Sequence, residues 1–350
     1  MAVAKRKIRN ERKRKLKIIV YALLFIIFAC LLFYEYYSMQ QQNEAECSST
    51  LSLEIVDATT STTASSEDST VNTTPVKPPK GKALYLHMID CGQGDCFLLE
   101  MNHQFALIDC GENPDYVINY LNNKHVEELQ FIVGTHPHQD HIGAMEGVLD
   151  NFKCNRIYVP KTHSDVQVGS WYINLWKKIR KNKIEVINPK ENDRFMLGDA
   201  EFNVIEQFTP NEADYNVNNY STIIRVSYGK NDVLFVGDAE KEVEYQMLKE
   251  EDNIQAEILK VGHHGSTTST TQKFLDAVSP QYALISCGIG NQFKHPNEKV
   301  LKRLQDKEIS VYRTDENGNV KVTITKTKIY FDCAPGDYID GPALAKTKGE

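Results

Sequence analysis

Phe131-Ile132-Val133-Gly134-Thr135-His136-Pro137-His138-Gln139-Asp140-His141 is where the character of the chain changes most abruptly. A β-branched and aromatic run ends in Gly-Thr, and three His and one Asp then fall within six positions. The run reads as a buried strand, and the spacing from Ile142 to Asn151 predicts a helix. The polar cluster therefore sits on a strand-to-helix turn, where binding groups commonly lie. Imidazole nitrogen and carboxylate oxygen are ligands that zinc and related divalent ions accept. His136 and His138, two apart on an extended turn, can face one point, and Asp140 and His141 a second. Two points imply two ions, which lie about 3.5–4 Å apart in two-metal hydrolases. A lone His would read as part of a solvated polar loop or an ordinary capped helix start, but this cluster reads as a metal site.

Outward from the turn, further apolar strands end in groups of the same chemistry. Phe105 to Ile108 ends in Asp109-Cys110-Gly111, and Asp232 to Val236 ends in Gly237-Asp238. Ile258 to Val261 ends in Gly262-His263-His264-Gly265-Ser266, and Tyr282 to Ser286 leads to Asn291 and Lys294-His295-Pro296. Seven segments stand in order: HMIDCGQGDCFLLE, ALIDCG, THPHQDHIGAMEGV, NNYSTIIRVSYG, VLFVGDAE, ILKVGHHGSTTS and SCGIGNQFKHP. Together they resemble the metallo-β-lactamase superfamily, and more closely the hydrolase domain of ComEC-type competence proteins. The resemblance spans roughly residues 83 to 331 and includes no channel-like membrane domain.

The resemblance implies an α/β fold, the four-layer αββα metallo-β-lactamase sandwich. It implies two divalent metal ions, zinc or manganese. His136 and His138 would hold the first, Asp140, His141 and His263 the second, and Asp238 both. Asp109 would support the metal loop by hydrogen bonds. His263 is preferred to His264 as ligand, leaving His264 to touch substrate or carry a proton. Asp140, Asp238, His264 and His295 are the catalytic candidates. Asn219, Ser221, Ser266 and Asn291 are the substrate-facing ones, with Ser266 placed at a helix start where free N–H groups favour an anion. The segment Asn218-Asn219-Tyr220-Ser221 departs from the superfamily's usual pattern because it has no His. Asn219 or water could fill that place, or the ion could be a harder one such as manganese.

The first seventeen residues hold nine Lys or Arg and one Glu. An unbroken apolar run follows from Ile18 to Tyr34, near the lower end of the roughly 17–25 residues that cross a bilayer. Residues 1–17 read as a basic cytoplasmic tail and 18–37 as an uncleaved transmembrane helix, with the remainder outside. A cleaved signal peptide is the alternative. Residues 38–82 are a Ser/Thr/Pro-rich linker, 83–333 the hydrolase domain, and 334–350 a loose tail. The whole chain carries −7, so the part beyond Lys17 carries −15, which argues against a broadly basic nucleic-acid surface. Seven cysteines lie outside the apolar run, with no C-x-x-C among them. That absence argues against a cysteine zinc site, and Cys91, Cys96, Cys110 and Cys287, beside strands, read as small buried hydrophobes.

The function expected is metal-dependent hydrolysis outside the membrane, of DNA or a small phosphodiester. A lactonase or other acyl hydrolase on the same site is the second reading, and a non-catalytic surface binding protein the third. No protein partner is inferable.

Overall fold

Strands whose two faces are both apolar need cover on both sides, and this requirement organises the domain. The computed structural model describes residues 81–162, 169–208, 216–250 and 253–349. Across the first sheet, neighbouring strands are Ile329–Phe331, Val320–Ile324, Leu84–Met88, Cys96–Met101, Gln104–Cys110, Glu128–Val133, Arg156–Tyr158 and Glu185–Ile187. The short Lys153–Cys154 also pairs with Glu128–Val133. The second sheet runs Ser310–Arg313, Tyr282–Ile285, Ile258–Lys260, Asn231–Phe235, Ile223–Tyr228, Ala200–Glu206 and Arg194–Leu197. Both sheets are mixed. The first is parallel from Gln104–Cys110 to Glu185–Ile187, and the second between Asn231–Phe235 and Ser310–Arg313.

The two-residue period of a strand sends alternate side chains to opposite faces. Phe97, Leu99, Ile108, Phe131 and Val133 join Ile224, Val226, Phe235 and Leu284 in one core between the sheets. Phe97 and Phe235 meet edge to face there, with ring centroids 5.2 Å apart. Leu98, Leu107 and Ile132 point the other way, against the helices Pro114–Asn123, Met145–Asn151 and Ser170–Asn182. Leu234, Leu259, Ala283 and Ile285 likewise pack on Lys241–Lys249, Gln272–Val278 and Glu298–Gln305. The fold is thus an α/β sandwich of two mixed sheets with helices on its outer faces.

Two expectations change. The helix expected from Ile142 to Asn151 is split into Gln139–Ile142 and Met145–Asn151, because the Ala144 N–H is taken by the Gly111 carbonyl at 2.9 Å. The tail expected to be loose is packed. Its helix Gly341–Lys348 is capped by the Asp340 side chain on Ala343 N–H, and Leu344 and Ala345 are buried. Arg313, with no exposed surface, pairs with Asp315 and donates to the Asp337 and Ile339 carbonyls. Asp-Gly-Pro at a helix start was the available signal. The assignments to 1–17, 18–37 and most of 38–82 lie outside the described residues, within which no helix is long and apolar enough to cross a membrane.

Cys91, Cys96, Cys110, Cys154 and Cys287 are free and buried, and Cys333 is free and half-buried. Burial pushes all six thiols up, which keeps them as thiols near pH 7.

His87 lies inside the first sheet with no exposed surface, its Nδ1 2.9 Å from Tyr120 Oη. Burial lowers its pKa to about 3, with Lys124 and Lys321 adding to the effect. Glu100 is 4.0 Å away, too far and too solvated to reverse that. In the unfolded chain the imidazole titrates near 6.5. Between these values the unfolded state binds the extra proton, so stability falls as pH drops below about 6.5, by up to about 1.4 kcal/mol per unit. From pH 7 to pH 5, urea denaturation of His87→Phe should show about 2 kcal/mol less loss of stability than the unsubstituted chain. Equal losses in the two proteins would reject the assignment.

Candidate metal centre

The loop after Glu128–Val133 is held from beneath by Asp109, whose φ of +57° turns its buried carboxylate under Thr135. Asp109 accepts the Thr135 N–H and hydroxyl, both at 2.7 Å, and lies 2.7 Å from His141 Nδ1. Burial pushes the Asp109 carboxyl up against the pull of His141, and three converging donors require the carboxylate form. His141 therefore presents its proton to Asp109 through Nδ1 and keeps Nε2 for a ligand.

Asp140, His141, Asp238 and His264 bring one ligand-type atom each into a single space, all within 4.8 Å of one another. Asp238 Oδ2 is 3.2 Å from His141 Nε2 and 3.4 Å from His264 Nε2, and Asp140 Oδ2 is 3.3 Å from His264 Nε2. His141 Nε2 and His264 Nε2 face these carboxylates without a well-aligned hydrogen bond, and Asp238 Oδ1 is buried with none. Leaving such atoms unmatched costs about 1–3 kcal/mol each, and a divalent cation would satisfy this donor set. The His136 ring lies 4.1 Å from that of His141, and His136 Nε2 is 3.0 Å from His138 Nδ1. Two nitrogens at roughly 2.0–2.1 Å from one zinc stand about 3.0–3.4 Å apart, so this pair also fits an ion.

Burial lowers His136 well below its ordinary value and lowers His138 as well, which keeps both rings in the neutral, metal-binding form. Burial also works against charge on His141 and His264. There it is outweighed by Asp238, with Asp109 and Asp140 at His141 and with Asp95 at His264. The protons on these two rings stand where cations would offset the carboxylates, and ion loading would release them.

The expected order of His263 and His264 is reversed. His264 is buried, donates from Nδ1 to the Ser286 carbonyl at 2.8 Å, and turns Nε2 to Asp140 and Asp238. The His263 side chain is 23% exposed, its Nδ1 3.1 Å from Thr268 Oγ1 and 3.4 Å from Glu240 Oε1. Its Nε2 is 3.7 Å from Asp238 Oδ2. The φ values of these two residues, +48° and +52°, are both left-handed. Such conformations cost non-glycine residues about 1–3 kcal/mol each. They turn the second ring, not the first, into the buried space.

The four substrate-facing candidates serve the scaffold instead. Asn219, without exposed surface, accepts the Glu240 N–H on Oδ1 at 3.0 Å. Ser221, equally buried, accepts the Asp238 N–H at 3.0 Å and lies 3.3 Å from His136 Nδ1. Ser266 begins no helix, since the next one starts at Gln272 with Thr271 as its cap, and its hydroxyl is 3.1 Å from Thr268 Oγ1. Asn291 spends its amide on the Gly288 and His295 carbonyls and the His295 N–H. His295 does stand at the mouth, its ring 5.6 Å from His263 and stacked at 5.9 Å on Phe293, which is 55% exposed. Burial, with His263 nearby, lowers His295 to about 4, so its ring is neutral near pH 7.

Residues 89–289 match the metallo-beta-lactamase superfamily. The chain belongs to that superfamily and carries, mostly buried, the His/Asp cluster of a metal-dependent hydrolase. Its domain is related to competence proteins. It is 33% identical over 254 residues to ComE operon protein 3 of Bacillus subtilis, covering 67% of this chain and 32% of that protein. It is 28% identical over 235 residues to competence protein ComA of Neisseria gonorrhoeae, covering 65% and 30%. The chain thus spans about a third of the length of these relatives. Among solved structures it is similar to the metallo-beta-lactamase fold protein YhfI from Bacillus subtilis, with 14% identity and a TM-score of 0.47, covering 69% of this chain and 100% of that one.

Proposed function

We propose that the chain is a metal-dependent phosphodiesterase. The observation that carries this reading is the convergence of buried, unmatched ligand atoms from both sheets beside a pair of neutral imidazoles. His136 and His138 would hold one divalent ion, Asp140, His141 and His264 a second, and Asp238 would lie between them. When bound, such ions polarise phosphoryl oxygens and activate water for attack, and a two-ion clamp suits in-line displacement at phosphorus.

The side chains around that space have separable tasks. Asp109 and the Ser286 carbonyl fix which nitrogens of His141 and His264 face inward. His263 Nε2 looks into the site while Thr268 and Glu240 hold Nδ1, a placement suited to passing a proton to a leaving oxygen. Phe293 and His295 form an apolar rim. The −15 carried beyond Lys17 disfavours a long nucleic acid lying across the surface and favours a small phosphodiester. The basic tail and the apolar run Ile18 to Tyr34 support a membrane anchor with the domain outside.

The test is elemental analysis of the purified full chain, with assays on bis-p-nitrophenyl phosphate, linear DNA and an aryl ester. About two equivalents of zinc or manganese, with chelator-sensitive diester cleavage restored by metal, is the outcome expected. Ester cleavage without diester cleavage would make it an acyl hydrolase. Substoichiometric metal and no turnover with added zinc or manganese would make it a binding protein.

A further inference from the structure

Lys260 ends a strand of the second sheet and has no exposed surface. Its ammonium lies 2.7 Å from Asp95 Oδ2 and donates to the Val261 carbonyl at 2.9 Å. Asp95, 1% exposed, belongs to the loop between two strands of the first sheet. The ion pair therefore crosses from one sheet to the other, directly behind the metal cluster. An enclosed pair gains little net stability, because desolvation offsets most of its attraction. Its position calls for another explanation.

Asp95 touches ligands on both sides of the sandwich. Its N–H donates to the Asp140 carbonyl at 3.0 Å, and its Oδ1 is 3.3 Å from His264 Nδ1. Gly94 permits that approach, since a Cβ there would stand 2.2 Å from the Asp140 carbonyl oxygen at a φ of +134°. The Ser286 hydroxyl, one residue beyond its strand in the second sheet, also bonds the Gly94 carbonyl at 2.6 Å. Asp95, Asp109 and His141 could be taken for a further ion site. However, His141 Nδ1 is already committed to Asp109, and the cation beside Asp95 is the lysine.

We propose that the Lys260–Asp95 pair is a positioning device: it sets the spacing between Asp140, in the turn after a strand of one sheet, and His264, in the turn after a strand of the other, so that their ion site exists before an ion arrives. The ligand it serves is the divalent cation of the preceding section, and the proposal rests on that reading. Residues that orient ligands from behind typically contribute 10–100-fold to metal affinity.

The test is titration of the metal-free full chain with cobalt(II) against a competing chelator, following the visible absorption of the bound ion. Asp95→Asn/Lys260→Met removes both charges together, so no unpaired buried charge remains. Its cobalt affinity should fall about 10–100-fold, with a changed absorption band. Asp95→Asn alone should shift both in the same direction, and it decides the matter if the double variant does not fold. Unchanged affinity and band in the folded variant would overturn the proposal, even if its thermal stability fell. Absence of cobalt binding by the unsubstituted chain would instead overturn the metal reading beneath it.

Discussion

Asp238→Ala should lower diester hydrolysis at least about 10³-fold, because several kcal/mol of transition-state stabilisation depends on ions held in place, at about 1.4 kcal/mol per decade. Asp238 is 2% exposed, and its carboxylate lies 3.2 Å from His141 Nε2 and 3.4 Å from His264 Nε2. Burial raises a carboxyl, yet His141 and His264 hold Asp238 well below the usual range, so it is anionic at any working pH. Its loss leaves two imidazoles crowded in one pocket without their shared counter-charge. Metal content by elemental analysis should fall with activity, while circular dichroism shows the sandwich intact. A folded Asp238→Ala protein with full metal content and unchanged turnover would reject the site.

His264→Ala and His263→Ala should part company. His264 is buried, with Nε2 among the carboxylates and Nδ1 tied to the Ser286 carbonyl. Its removal should take metal and activity together, by at least about 10³-fold in kcat. His263 is partly exposed and held by Thr268 and Glu240. Its removal should leave metal content unchanged and lower kcat by roughly 10²–10⁴-fold, the span of a proton-transfer group. The discriminating measurement is metal per chain in the two variants. Loss of metal from His263→Ala, with retention by His264→Ala, would restore the order expected from sequence.

The strands were legible because their apolar runs are continuous, and continuous runs mean cover on both faces. Leu98 and Phe97 show this directly: one faces the helices and the other the second sheet. Gly198-Asp199 between Leu197 and Ala200 marked a hairpin, and those two residues are paired. The ends of elements were harder. Ala144 breaks its helix for a bond to Gly111, more than thirty positions away in sequence, and no local propensity carries that information. The tail was misread because the few apolar residues it buries, Leu344 and Ala345 among them, gain their value only from a surface supplied elsewhere.

At the metal centre, spacing within the 136–141 loop was enough to name the chemistry. A lysine in the otherwise apolar stretch ILKVG was a signal for Lys260, legible only once Asp95 stood opposite. Which residues of that neighbourhood can bind a metal was written in side-chain type, since imidazole and carboxylate have few other reasons to crowd a buried turn. Which of them enter the pocket was decided by folding. Two left-handed residues exchange His263 for His264, and backbone bonds draw Asn219, Ser221 and Asn291 into the scaffold. The direction of a side chain depends on backbone angles set by distant hydrogen bonds, whereas its chemistry travels with the residue.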